Sequence, residues 1–291
     1  NNLAALKNSE HRSTLNMNFS IEQPDLMEII LRLCAVLLHG ETRVAVLKLS
    51  SNYIGPIGAA ALAAALCANS SLTELELYNN CIGSAGAISI GEAMHVNTSL
   101  TLLNLSENRI GGAGGAAIAK ALTVNTSLVS LDLRANLIGA AGDEEMGEAL
   151  AVALAVNASL TRLDVSYNQL DEESTLGIVR AAREKDARGG EKMVLLGLTR
   201  CSVGPVGAQE IADYIAVSAS LTSLNLYWNS IDSEGGVAIA EALRANTSLK
   251  MLNLMWTNIG DVGGVAIGEA LRVNASLTEL NLAASYFRPQ G

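Results

Sequence analysis

The sequence predicts an α/β solenoid, a stack of about nine strand–helix units of 28 residues, on three observations. The first is a motif. Leu100, Leu103, Leu105, Asn108 and Ile110 spell L-x-x-L-x-L-x-x-N-x-I, and Leu128, Leu131, Leu133, Asn136 and Ile138 spell it again 28 residues later. The second is its recurrence. The motif starts at Val44, Leu72, Leu100, Leu128, Leu160, Met193, Leu221, Leu249 and Leu277, and six of the eight spacings are 28 residues. A fixed period of this size marks units that cannot bury their apolar faces alone and must stack. The third is composition: of 291 residues 49% are hydrophobic but only 3% aromatic, which suits a thin core filled by Leu, Ile and Ala.

Residues 1–23 are polar and irregular, with a weak alternation from Thr14 to Ile21 that predicts an edge strand. Pro24 suits a helix start, where its missing N–H costs nothing. A helix over 25–38 follows, ending near Gly40. Its apolar run from Leu26 to Leu38 is interrupted by Glu28 and Arg32, and it falls short of the roughly 20 residues of a membrane span. Residues 1–43 therefore read as an N-terminal cap and residues 44–291 as the solenoid. The units at 128–159 and 160–192 are longer, 32 and 33 residues.

Within each unit the strand gives way to Gly and then to a helix with a stripe such as Ile118, Ala121 and Leu122, or Ile239, Ala242 and Leu243. These i, i+3, i+4 sets pack onto the strand leucines. The motif asparagine recurs as Asn52, Asn80, Asn108, Asn136, Asn168 and Asn229 and predicts a ladder of side-chain-to-backbone bonds where each strand turns away. Cys201 is an accepted substitute in such motifs; Thr257 and Ser285 depart from it. The segment 171–193 lacks an Ala-rich helix and carries eight charged residues from Arg180 to Lys192 around Gly189 and Gly190. It reads as a docking loop on the rim or back, or as a solvated insertion.

Asn69, Asn97, Asn125, Asn157, Asn246 and Asn274 end the regular helices, each followed by a small residue and Ser. These triplets are N-glycosylation sequons. Asn also tolerates the left-handed conformation of a helix C-cap, and the identical place in every regular unit favours the capping role.

The formal net charge of −10 argues against a nucleic-acid scaffold, which needs clustered Lys and Arg. It suits basic protein partners, or solubility alone. Four scattered cysteines without a paired spacing point to a reducing, intracellular compartment, the cytoplasm first. Because the chain opens at Asn1, an organelle reached after loss of a targeting peptide stays open. No Cys/His spacing suits a metal.

The motif, with a full helix at a 28-residue period over residues 44–285, resembles the ribonuclease-inhibitor class of leucine-rich repeats, and is similar to the repeat regions of NOD-like receptors and of the Ran GTPase-activating protein. The resemblance implies a horseshoe with a parallel sheet on the concave face and helices on the convex face, and protein ligands at the concave face or rim. The helix charges Glu92, Lys120, Glu148, Glu241, Glu269 and Arg272 would then be solvated on the convex side.

Strand side chains alternate, so the residues two, four, six and seven after each first Leu are expected on the concave wall. The plus-four column reads Lys48, Glu76, Asn104, Asp132, Asp164, Gly197, Asn225, Asn253, Asn281. The only tryptophans, Trp228 and Trp256, share the plus-seven column one unit apart, with Tyr227, Met251 and Met255 adjoining. Exposed clusters of this kind mark interaction sites. The candidate partner-binding set is Trp228, Trp256, Tyr227, Met255, Met251, Asn225, Asn253, Tyr78, Asp132, Arg134, Asp164 and Tyr167. A C-terminal segment or a sister chain covering the tryptophans is the competing reading.

No catalytic site is expected. His11, His39 and His95 are scattered. Asp132 and Asp164 could do acid/base work as a pair, but Arg134 and Arg162 beside them would hold both ionised as an ion-pair network. Gly111–Gly115 lacks the Lys-Ser/Thr of a phosphate loop. The expected function is a non-catalytic protein-interaction module or scaffold, including as an accessory subunit of a larger assembly, with no cofactor, nucleic acid, membrane insertion or small-molecule substrate. The alternative is a regulator of a small GTPase.

Overall fold

The computed structural model describes residues 13–18, 26–38, 44–139 and 145–285. Pro24, the helix stop near Gly40, and His11 and His39 lie outside them. Among the described residues ten parallel strands form one sheet in strict chain order: β1 Ser13–Asn16, β2 Val44–Lys48, β3 Glu74–Glu76, β4 Leu102–Asn104, β5 Ser130–Asp132, β6 Arg162–Asp164, β7 Leu195–Gly197, β8 Ser223–Asn225, β9 Met251–Asn253 and β10 Glu279–Asn281. Nine helices alternate with them among the described residues: α1 Leu26–Leu38, α2 Gly55–Ala68, α3 Gly83–Val96, α4 Gly111–Leu122, α5 Glu145–Val156, α6 Glu172–Arg188, α7 Pro205–Val217, α8 Asp232–Ala245 and α9 Gly260–Leu271. This is the expected α/β solenoid.

The strand leucines lie in register from Leu47 through Leu75, Leu103, Leu131, Leu163, Leu196, Leu224 and Leu252 to Leu280. Helix residues such as Ile118, Ala121, Ile239 and Leu243 close over them in one continuous core. Ile30, Leu33 and Leu37 of α1 join that core, and β1 pairs with β2. The six convex charges named above are all exposed. Neighbouring helices approach closely because small residues face each other. A Cβ on Gly114 would lie 2.8 Å from the Cβ of Ala87 and 2.5 Å from Ile110 Cγ2, distances that no side chain can hold.

The expected asparagine ladder runs along the carboxyl ends of the strands. Asn108 Nδ2 donates to the carbonyls of Leu77 (2.7 Å), Leu105 (2.9 Å) and Ser106 (3.1 Å), and its Oδ1 accepts from the N–H of Asn80 at 2.8 Å. Asn52, Asn80 and Asn136 repeat the pattern. The substitutes keep a donor in place. Cys201 Sγ lies 3.4 Å from the Thr199 carbonyl, and the hydroxyls of Thr257 and Ser285 both donate to the Leu254 carbonyl.

The helix-ending asparagines form a second ladder at the opposite ends of the strands. Asn97 Nδ2 donates to the carbonyls of Leu66 (2.8 Å) and Asn69 (3.0 Å), while its Oδ1 accepts from Ser99 N–H (3.1 Å) and Leu100 N–H (2.9 Å). Asn125, Asn157, Asn246 and Asn274 do the same. The left-handed cap expected there is wrong. Asn97 has φ −75 and ψ 126, and Asn69 and Asn246 are likewise extended, because the side chain rather than the backbone makes the turn.

The segment 171–193 is neither a loop nor an insertion without structure: it holds α6, the longest helix among the described residues. Asp171 caps it by accepting from Ser174 N–H at 2.8 Å, and acidic Glu172 and Glu173 precede basic Lys185 and Arg188, the order the helix dipole favours. This unit has no asparagine for the second ladder. Lys185 Nζ instead donates to the Asn157 carbonyl at 2.7 Å, and Asp186 accepts from Met193 N–H and from the hydroxyls of Tyr214, Ser218 and Ser220.

Two outcomes follow from the ladders. Asn108→Ala should lower unfolding free energy by about 1–3 kcal/mol, since it strands buried backbone groups; an unchanged denaturant midpoint would exclude a structural ladder. A glycan on Asn97 or Asn125 would displace two carbonyl bonds, so intact mass of folded protein from its native source should show no hexose additions at either residue.

Candidate interaction face

The register places the plus-four column as expected: Glu76, Asn104, Asp132, Asp164, Gly197, Asn225, Asn253 and Asn281 are successive partners across the sheet. The strands end there. Residues six and seven therefore stand in the turn beyond the sheet, on its carboxyl-end rim, and not on the sheet wall. Strand alternation reaches plus six but does not explain plus seven. Plus seven faces outward because it is left-handed in all nine units, with φ between 52 and 61, including Tyr167, Arg200, Trp228 and Trp256. At plus six, Ser106, Ser166 and Thr199 are buried, so that column is only partly a surface.

The rim carries a stacked column. The Trp228 and Trp256 rings lie 5.5 Å apart between centroids at an interplanar angle of 12°, and Tyr227 meets Trp228 edge-on at 5.9 Å and 86°. The Arg200 guanidinium sits 5.6 Å from the Trp228 centroid, within cation–π range. Trp228 remains 48% exposed and Trp256 38%. Met251, the first residue of β9 and five residues before Trp256, is exposed; Tyr227, Met255, Asn225 and Asn253 are half-buried. Sequence reasoning passed over Arg200, although its position between Tyr167 and Trp228 in the plus-seven column was there to be read.

The rest of the candidate set forms a separate, charged cluster. Arg134 Nη2 lies 2.6 Å from Asp132 Oδ2, and Arg134 Nε lies 3.7 Å from Asp164 Oδ2. Arg162, expected beside them, is exposed and forms no ion pair with either. Tyr78, Glu107, Arg134 and Tyr167 line a depression of about 340 Å³, and Tyr167 and Arg200 line a second of about 320 Å³ next to it. The charge of Glu107, and its hydrogen bond, push the Tyr78 hydroxyl above the ordinary range. Burial does the same for Tyr167.

Of the two arginines expected to flank Asp164, only Arg134 acts on it, and burial outweighs that charge. Burial raises its carboxyl above the usual range, the charge of Asp132 adds to this, and the bonds from Ser166 and the Arg134 charge oppose it. The side chain lies across Gly197, where a Cβ would come within 2.2 Å of its carboxyl carbon. Among the described residues no three His, Cys, Asp or Glu groups converge as a metal site, and His95 sits on α3 with Nδ1 2.9 Å from the Gly91 carbonyl.

The family model for the Leucine Rich repeat matches residues 68–91, 96–119, 156–174, 217–240 and 245–268, each match joining the end or start of a helix to the strand between. The chain carries leucine-rich repeats. Its similarity to solved structures agrees at the level of fold. The leucine-rich repeat-containing protein LegL7 from Legionella pneumophila superposes with a TM-score of 0.56 at 17% identity, over 96% of this chain and 85% of that one. Leiomodin-1 actin-binding site 2 (28% identity, TM-score 0.42, 52% of this chain and 87% of that) and the tropomodulin C-terminal domain of Caenorhabditis elegans (13%, 0.42, 50% and 83%) overlap about half of the repeat protein. No curated protein sequence matches it.

Because its folded-state carboxyl is raised, Asp164 contributes stability at low pH that is lost as pH rises from about 4, the ordinary aspartate value. Asn holds the same turn at Asn104, Asn225 and Asn253. Asp164→Asn should therefore gain on the wild type as pH rises from 4 to 7 in parallel urea melts; a variant that loses ground over that interval would show that the ion pair with Arg134 dominates.

Proposed function

We propose that this leucine-rich-repeat protein is a non-catalytic protein-interaction module, a scaffold or an accessory subunit, whose partner docks on the carboxyl-end rim around Trp228 and Trp256 with residues 1–43 capping the solenoid. The repeats support a protein-binding role in general, and no helix among the described residues is long and apolar enough to cross a membrane. The observation that carries the site is the stacked, half-exposed tryptophan pair at left-handed turn positions. A bulky residue in that conformation is locally disfavoured by about 1 kcal/mol or more. A leucine-rich core gains nothing from tryptophan outside it, so the rings answer to contacts beyond the unit. Tyr227 and Met255 widen the apolar centre, Met251 extends it along β9, and Asn225 and Asn253 give it a polar edge, the anatomy of a protein interface. The charged cluster of Tyr78, Asp132, Arg134, Asp164 and Tyr167 would border it. The small-GTPase regulator rests on resemblance alone.

The test uses two substitutions at one position. Trp228→Ala removes the ring and its stacking, about 0.5–1.5 kcal/mol, while Trp228→Gly also relieves the left-handed backbone. Trp228→Gly should melt close to wild type. Both variants should weaken binding to a partner recovered by pull-down by about 2 kcal/mol or more, and Glu92→Ala or Glu148→Ala on the convex helices should leave it unchanged. Full-strength binding by a well-folded Trp228→Gly protein would move the site elsewhere.

A further inference from the structure

Three polar side chains around the tryptophans offer free donors. Asn225 Oδ1 accepts from Tyr227 N–H and Asn253 Oδ1 from Met255 N–H, each at 3.1 Å. Each carboxamide is thereby oriented with one acceptor site of its oxygen used, and its NH₂ has no protein acceptor among the described residues. Arg200 adds five N–H donors and no acceptor. Of the other cations on the concave side, Lys48 pairs with Glu76 at 2.7 Å and Arg134 with Asp132 at 2.6 Å, while Arg162, at plus two of β6, stands away from the tryptophans. Arg200 stacks on Trp228 and has no carboxylate partner among the described residues. An unpaired cation at the border of an aromatic patch, followed by a row of amide donors one strand apart, about 4.8 Å, is complementary to acceptors and to negative charge.

We propose that the docking element of the partner is an acidic, extended peptide segment, with a carboxylate on Arg200, backbone carbonyls on the amides of Asn225 and Asn253, and an apolar side chain against Trp228. This rests on the reading that the rim is the interface. An ionised carboxylate is acceptor-only and fits a guanidinium bidentately. The site has a defined edge. Asp164 lies across Gly197, next to Asn225 in its column, so a second carboxylate of the peptide extends away from β6 towards β9. The net charge of −10 opposes an acidic partner only at long range, since exposed charges are screened beyond about 8 Å at physiological salt.

The experiment titrates the full chain with three acetylated, amidated nonapeptides that have Leu at alternate positions and Glu, Gln or Lys between. The emission of the two tryptophans, the only ones in the chain, reports occupancy directly. The Glu peptide should give a saturable change and bind about tenfold or more tighter than the Gln peptide, the scale of a charge-assisted hydrogen bond. Arg200→Gln should bring the Glu peptide down to the Gln peptide's affinity without moving the thermal melt. No saturable change with the Glu peptide, equal binding of Glu and Gln peptides, preference for Lys, or indifference to Arg200→Gln each overturns the proposal. If acidic preference fails while Trp228→Gly still abolishes binding of the recovered partner, the interface stands and only its chemistry was misassigned. If Trp228→Gly leaves that binding intact, the interface itself is wrong.

Discussion

Each unit of the stack reverses its chain twice within a few residues, and both reversals happen against a dry core. Every reversal leaves N–H and C=O groups that neither the sheet nor the helices can satisfy, and an unmade buried hydrogen bond costs more than a made one contributes. Two asparagine ladders meet this constraint, one at each end of the strands. A carboxamide suits it because it offers two donors and an acceptor on a short side chain. One Asn108 side chain bonds backbone groups of its own unit and of the unit before it, so the period of the sequence is held by polar bonds as much as by the leucine register.

The first ladder was legible because the motif asparagine has one dominant role. The second was visible as a repeated triplet but was assigned the wrong mechanism: Asn97 acts through its side chain from an extended backbone. A repeated residue fixes a position, and several physical roles compete to explain it. The segment 171–193 was misread for a related reason. Its helix signals, Asp171 as cap and an acid-to-base gradient, were all present, but it lacks the alanine pattern of its neighbours, and comparison with them outweighed its own local chemistry. Lys185 and Asp186, surface residues by composition, replace the missing asparagine from inside.

The candidate site was legible in part. The plus-four column and the adjacency of Trp228 and Trp256 follow from the period, because parallel in-register strands place equivalent residues side by side. The rim did not follow, since alternation ends where the strand ends and a left-handed turn decides the next direction. Electrostatics were least legible. Arg162 and Arg134 look equivalent beside Asp164, yet only Arg134 reaches it, and burial governs the carboxyl more than either charge does.

The same turn explains why the aromatic column can exist at all. A left-handed residue at plus seven projects its side chain off the rim in every unit, so the fold offers nine equivalent outward positions whose backbone cost is already met by the unit's own hydrogen bonds. At Ser51, Ala135 and Ala284 the position is filled by something small; at Tyr167, Arg200, Trp228 and Trp256 it is filled by four large planar groups in consecutive units. Parallel strand spacing then brings neighbouring planes into stacking range without any further design of the backbone. The scaffold thus separates stability from recognition: leucines and asparagines hold the period, and a column that contributes nothing to the core is free to vary from unit to unit as the surface requires.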